Sequence, residues 1–240
     1  MYFILLLLLS FLQSAFELPS KVNCLFPHST QENREISFTT YRPFGQSYLH
    51  TSQLQLSTKI KNYTLSSDLF YMGDSLYSEL STSHWVGIKW TAKAIIKFGI
   101  SYHELDIIDL DKITTFTNSF NINLKISQSS NISILGGHLY QSNTDLELPQ
   151  SFAIQYLWQN SQHANYNYHI KKEVGFPSEH NLFSTYPLLE DKFYIRIGYL
   201  SGSSEIFFSS ILRFTKLSAE PFFLYHPQLG QSLGMQINIY

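Results

Sequence analysis

Lys89, Lys93 and Lys97 stand four residues apart, and Lys125, Lys171 and Arg196 follow further along the chain. Each sits on the polar phase of a segment whose alternate residues are apolar. If that phase lines an enclosed interior, the cations could draw in anions, or they could pair there with Glu and Asp; the sequence leaves both open. His103-Glu104 with Asp106 has the composition of a metal site or an acid/base pair, but its place at the end of an alternating run fits a strand-end polar cluster at a membrane edge. Asp106, Asp109 and Asp111 lack the Gly and terminal Glu of a calcium loop and read as a solvated turn. The chain holds no Gly-x-Ser-x-Gly elbow, His-Glu-x-x-His, Cys-x-x-Cys or phosphate-binding glycine loop. We therefore assign no catalytic residue, no metal and no cofactor, and expect a protein that is not an enzyme.

The segments that must position these residues are strands. Side chains on a strand alternate between two faces, so a barrel wall in lipid shows apolar residues at every second position with tolerant polar ones between. Phe120, Ile122, Leu124 and Ile126 interleave with Asn121, Asn123, Lys125 and Ser127. Tyr166, Tyr168 and Ile170 interleave with Asn165, Asn167, His169 and Lys171, and Leu233, Met235, Ile237 and Ile239 with Ser232, Gly234, Gln236 and Asn238. Tyr63-Leu65-Leu69-Tyr71, Phe152-Ile154-Tyr156-Trp158 and Phe193-Ile195-Ile197-Tyr199 follow the same phase. The longest alternation runs from Val86 to Tyr102. It exceeds the 9 to 11 or so tilted residues that one crossing needs, so it reads as a hairpin, and a three-residue turn near Thr91 to Lys93 would keep the even positions on one face. An amphipathic helix does not fit, because a strict period of two spreads apolar residues around a helix. Turn signals at Pro43-Phe44-Gly45, Gly73-Asp74, Gly136-Gly137, Leu148-Pro149, Gly175-Phe176-Pro177, Ser201-Gly202-Ser203 and Pro227 to Gly230 divide the rest.

The predicted fold is all-β: a closed antiparallel transmembrane β-barrel of about 12–14 strands, beginning near Ile36. Charge on the polar phase facing lipid would cost roughly 2 to 4 kcal/mol, so Lys89, Lys93, Lys97, Lys125, Lys171 and Arg196 are expected to face the lumen. His169 and Gln236 share that phase and that expectation.

Phe3 to Leu12 is an apolar run too short for a membrane helix, which needs about 20 residues, and suits the core of a signal peptide. We read 1–15 as signal peptide, although a cut after Ala15 puts bulky Gln13 where a small residue is preferred and no Lys or Arg precedes the run. Residues 16–33 read as a leader or a small periplasmic plug, and 34–240 as the barrel. Cys24 is the only cysteine, so stability must come from the sheet rather than from an intrachain disulfide. Charged residues make up 14% and aromatics 16%, unlike the surface of an ordinary soluble protein, and a net charge of −2 with no basic stripe excludes a nucleic-acid partner.

Three pieces resemble short outer-membrane barrels of Bacteroidetes-type bacteria, loosely similar to the type IX secretion shuttle barrel and the long-chain fatty-acid transporter group. Gly73 to Glu79 resembles their first-half turn, Leu148-Pro149 before Ser151 to Trp158 their mid-chain restart, and Tyr225 to Ser232 their final hairpin. The Asn-Pro-Ala hatch of the fatty-acid transporters has no counterpart around Asn23-Cys24-Leu25. The resemblance implies the outer membrane of a Gram-negative bacterium, with outer-membrane lipid, the barrel assembly machinery and a larger secretion or envelope complex as partners. It also implies that Leu233 to Tyr240 is the closing strand and the segment the machinery reads, through Gly234, Met235, Ile237, Ile239 and Tyr240. Tyr240 is out of phase with Ile239, so a bulge or an interfacial position would have to accommodate it. The functional expectation is a pore, a carrier or an accessory component of an export assembly. A soluble secreted β-sandwich or lipocalin-like binding protein is the alternative, and an outer-membrane lipase or protease a third.

Overall fold

The alternation closes into a complete cylinder. The computed structural model describes residues 34–46, 49–74, 76–143, 148–160, 164–189 and 192–240; the expected signal peptide and leader lie outside them. The strands are β1 (Arg34–Arg42), β2 (His50–Ile60), β3 (Tyr63–Gly73), β4 (Tyr77–Thr91), β5 (Ala94–Ile107), β6 (Ile113–Lys125) and β7 (Ser130–Gly137). They continue as β8 (Ser151–Gln159), β9 (Asn165–Glu173), β10 (Glu179–Leu189), β11 (Phe193–Leu200), β12 (Glu205–Arg213), β13 (Leu217–His226) and β14 (Gly230–Ile239). Each pairs antiparallel with its sequence neighbours, and β14 closes on β1 in the register Ile36↔Ile239 to Arg42↔Leu233, giving a closed barrel of 14 strands. A sandwich is thereby excluded. Among the described residues, closure leaves no strand edge unpaired, which is the condition for a sheet to stand in hydrocarbon.

The outer phase is apolar along the wall, with Phe38, Leu56, Leu69, Val86, Phe98, Ile100, Ile154, Ile197, Phe208, Leu233 and Met235 all exposed. Aromatic side chains gather toward the strand ends. Trp158 stacks on Tyr166 at 5.1 Å, Tyr166 meets Tyr186 edge-on at 6.1 Å, and Trp90 is 74% exposed. An apolar band with aromatic flanks is what a transmembrane barrel presents to lipid.

The two ends differ. At the end where β1 begins and β14 finishes, the connections are 61–62, 92–93, 126–129, 160–164, 190–192 and 214–216. At the other end they are 43–49, 74–76, 108–112, 138–150, 174–178, 201–204 and 227–229. We call these the terminus end and the loop end. In the longest connection, 138–150, the described stretch 138–143 runs along β6: Leu139 and Ser142 donate backbone N–H groups to the carbonyls of Asn118 and Phe116, and Leu148 is buried against Leu105.

The long alternation is the β4–β5 hairpin, but its turn differs from the three-residue expectation. Ile88 pairs with Ile96 and Lys89 with Ile95, then the register shifts so that Thr91 meets Ala94. A two-residue turn plus one extra residue, Trp90, keeps the even positions outward; two-for-one opposition has the same effect on parity as lengthening the turn. Lys93 consequently lies in the turn itself, exposed at the tip, and not on the strand phase where the sequence placed it. Gly136-Gly137, read as a turn, instead ends β7, because Gly136 accommodates the ring of Phe120 on the outer face.

Candidate functional site: the barrel lumen

The inward phase divides into a packed part and an accessible part. The inward side chains of β11 to β14 and β1 are buried over almost their whole length. Arg196 places Nη1 3.1 Å from Glu220 Oε1, Ser209 Oγ donates to the same oxygen at 2.5 Å, and Arg196 Nε donates to Thr185 Oγ1 at 3.1 Å. Gln236, 5% exposed, donates to Ser37 Oγ at 2.7 Å and Asn238 Oδ1 at 2.9 Å. Tyr240 remains on the inward phase without a bulge in β14, its hydroxyl 3.1 Å from the buried Ser218 Oγ. Gly234 lies beneath Phe222 and Tyr41, where a Cβ would come within 2.4 Å of both side chains, while Met235, Ile237 and Ile239 occupy the outer phase.

Toward the loop end two apolar clusters lie among buried charged and polar side chains. Tyr41, Phe183, Leu200, Phe207, Phe222 and Leu224 form one buried cluster, in which Phe207 is stacked with Phe222 at 5.9 Å and meets Phe183 edge-on at 5.7 Å. Leu105 and Leu148 form a second cluster across the same end, with Tyr77, Ile107 and Ile113 packed against it. Together they fill part of the loop-end interior. The sequence concealed this feature because Phe207-Phe208 and Phe222-Phe223 are doublets that put one ring in each phase.

Nearby charges and histidines are engaged. Lys171 Nζ lies 2.5 Å from Glu173 Oε1, both side chains buried, and His169 Nδ1 is 3.5 Å from Asn181 Nδ2. His103 and Glu104 point to opposite faces, which dissolves the acid/base pair weighed on the sequence. His103 is buried between Ser81 Oγ at 3.0 Å and Thr117 Oγ1 at 3.1 Å, and His138 reaches the same threonine hydroxyl at 3.2 Å. Glu104 faces outward and accepts from Lys112 Nζ at 2.8 Å; that carboxylate holds the Lys112 ammonium above its ordinary value. Asp109 and Asp111 fall in the 108–112 turn, and among the described residues no group of three or more His, Cys, Asp or Glu is placed to hold a metal.

Toward the terminus end, the inward residues of β2 to β10 stay partly accessible, which leaves a vestibule inside the wall. Hydroxyls, amides and lysines line most of it. Asn121 Nδ2 donates to Ser133 Oγ at 2.9 Å and Gln155 Nε2 to Asn167 Oδ1 at 3.0 Å. Lys59, Lys89 and Lys125 are exposed at its rim and Lys97 is half-buried, with its stem over Gly87. Trp85 lies on Gly99, where a Cβ would fall 2.6 Å from the ring. Of the inward carboxylates, Glu79, Glu173, Glu179 and Glu205 stand at the opposite end, while Glu35 on β1 is buried at this one. Lys59, Trp85 and Glu220 were not singled out from the sequence; Lys59 and Glu220 have the alternating phase as their signal, and Trp85 carries none, being an apolar residue on the polar phase.

No family model and no curated protein matches the chain. Solved structures do match it in fold. The chain is similar to the Pseudomonas putida toluene transporter TodX (TM-score 0.59, 8% identity, covering 86% of this chain and 88% of that one). It is also similar to the Acinetobacter baumannii outer membrane protein Omp33 (0.56, 8%, 86% and 97%) and to the KdgM porin in complex with disordered oligogalacturonate (0.51, 10%, 86% and 98%). The fold is therefore that of Gram-negative outer-membrane barrels.

Proposed function

We propose that the chain is a non-enzymatic channel or carrier of the Gram-negative outer membrane, with its terminus end toward the periplasm. Short turns at the periplasmic side and longer loops outside are the rule for such barrels, and this orientation places 138–150 outward. The observation that carries the reading is the lumen itself: an accessible polar vestibule that narrows onto the aromatic cluster around Phe207. A packed wall alone would need no vestibule, and an open general pore would not close its mouth with six apolar side chains. The narrow mouth suits a gated or selective path. Outer-membrane lipid and the barrel assembly machinery are partners on this reading, with Leu233 to Tyr240 as the segment recognised. The likeness to Bacteroidetes-type barrels and membership of a larger secretion or envelope complex rest on the three sequence pieces alone.

The test is conductance of the purified barrel in planar lipid bilayers, comparing the native chain with Phe207→Ala/Phe222→Ala. Removing two stacked rings from the constriction should raise single-channel conductance severalfold or turn brief openings into a steady current. Native and variant barrels that insert with heat-modifiable migration, yet conduct equally or not at all, would defeat the reading.

A further inference from the structure

The sequence left two fates open for the inward cations, and the structure separates them by depth. The deeper cations are paired: Lys171 with Glu173, and Arg196 with Glu220. Lys89, Lys97 and Lys125, near the terminus-end mouth, have no carboxylate at ion-pair distance among the described residues. They also share one patch of wall. Lys97 pairs laterally with Gly87 and Asn121, Lys89 with Ile95, and Lys125 N–H donates to the Lys93 carbonyl at the foot of the same three strands. With about 4.8 Å between strands and about 3.3 Å per residue, Lys89 stands two residues and Lys125 four residues toward the terminus end from the row of Lys97, so the three positions span about 14 Å, a distance that their long side chains can shorten. The inward carboxylate on the neighbouring β3, Asp68, is four residues up the strand from Thr64, the residue level with Lys97, which is about 13 Å. It is already accepting from Gln53 Nε2 at 2.9 and 2.7 Å and from Gln55 Nε2 at 3.2 Å. Glu35 on β1 lies diagonal to Lys59, beyond the patch.

Three like charges held together inside a concave, low-dielectric wall create a potential that exposed lysines on a convex surface do not, because the wall focuses the field and limits screening. Keeping them there without counter-charges is unfavourable for the empty protein. We propose that Lys89, Lys97 and Lys125 form a binding site for a small, hydrophilic, multivalent anion that enters the vestibule from the terminus end. The inference rests on the channel reading for its role in transport, but the site stands on its own geometry. Carboxylated or phosphorylated solutes share the required chemistry: several negative groups that the three lysine side chains can reach together, and hydroxyl or carbonyl oxygens for the surrounding amides. Trp85, on the face of Gly99 one lateral row from Lys97, reports on that space.

The experiment titrates inorganic tripolyphosphate into the detergent-folded full chain while following tryptophan emission, with Trp85→Phe to assign the signal. A triple variant, Lys89→Gln/Lys97→Met/Lys125→Gln, keeps the Lys97 stem over Gly87, and a double variant at the exposed positions 89 and 125 serves if the triple fails to fold. Saturable quenching that needs Trp85 and weakens about tenfold or more in the variants supports the site, since three modest ion pairs together amount to that factor. Equal affinity in native and variant barrels, or no Trp85 response, overturns it. Reversal potentials in a potassium chloride gradient separate the two claims. Anion preference lost in the variants supports both; current with no anion preference and no binding leaves the channel and removes the site. Binding without current retains the site and removes the channel, and neither binding nor current removes both.

Discussion

The Arg196–Glu220 pair gives the sharpest energetic test of how the lumen is held together. Glu220 is 4% exposed and Arg196 16%, measured on the side chains, with 3.1 Å between Nη1 and Oε1. At an effective dielectric of about 20, two unit charges at that distance attract by about 5 kcal/mol, and most of this offsets the loss of hydration of two ions. The net value of the intact pair is therefore small, whereas removing one partner leaves a buried charge uncompensated and costs about 3–5 kcal/mol. Glu220→Gln retains an acceptor for Ser209 and isolates the guanidinium; Arg196→Met retains the stem and isolates the carboxylate. Each single variant should lose about 3 kcal/mol, and the double variant only about 1, because it buries no ion. The assay is reversible urea unfolding in lipid vesicles, with all four proteins compared at one pH and salt. These values imply a coupling of about 5 kcal/mol, and single losses that add to within about 0.5 kcal/mol in the double variant would refute the claim that these charges are desolvated partners.

Two further outcomes follow from the faces of the wall. Ile195→Lys puts a charge on the outer phase and should lower stability by about 2–4 kcal/mol if it lies near the midplane. Gln236→Lys removes the hydrogen bonds to Ser37 and Asn238 but arrives opposite Glu220, so its loss should be about 1–2 kcal/mol; the reverse order in the same unfolding assay would mean that the faces are misassigned. Deleting 233–240 removes the β14 residues that face Ile36 to Arg42 and should abolish membrane insertion, and normal membrane levels of the shortened chain would overturn the closing role of β14.

The wall was legible in the sequence because a period of two is a local signal. Leu233-Met235-Ile237-Ile239 against Ser232-Gly234-Gln236-Asn238 needs no knowledge of the partner strand to be read. The β4–β5 tip was less so. A bulge at Trp90 and a three-residue turn conserve parity equally, so alternation cannot choose between them, and Lys93 moved off the wall as a result. Lys171 and Glu173 are two residues apart on β9 and could have been paired from the sequence; Arg196 and Glu220 come from β11 and β13, and only the register of both on β12 brings them together.

The same limit explains why cargo is harder to read than fold. In a barrel the outer phase answers to one solvent, lipid, and any apolar residue satisfies it. The inner phase answers to whatever stands across the lumen, which depends on strand tilt and closure. Phe207 and Phe222 violate the polar rule of their phase, yet Ser209 and Glu220, two positions away on the same strands, obey it. A violation is informative only once its partners are known. Stacked on each other, with Phe222 over Gly234, the two rings belong to one buried cluster; scattered, they would be ordinary packing. The unpaired lysines read the same way in reverse. Lys89, Lys97 and Lys125 obey the polar rule, and what sets them apart is that they stand toward one end of three neighbouring strands with no carboxylate at ion-pair distance among the described residues, whereas Lys171 and Arg196 are answered from within the wall. A charge that the fold does not neutralise is the one left available to a solute.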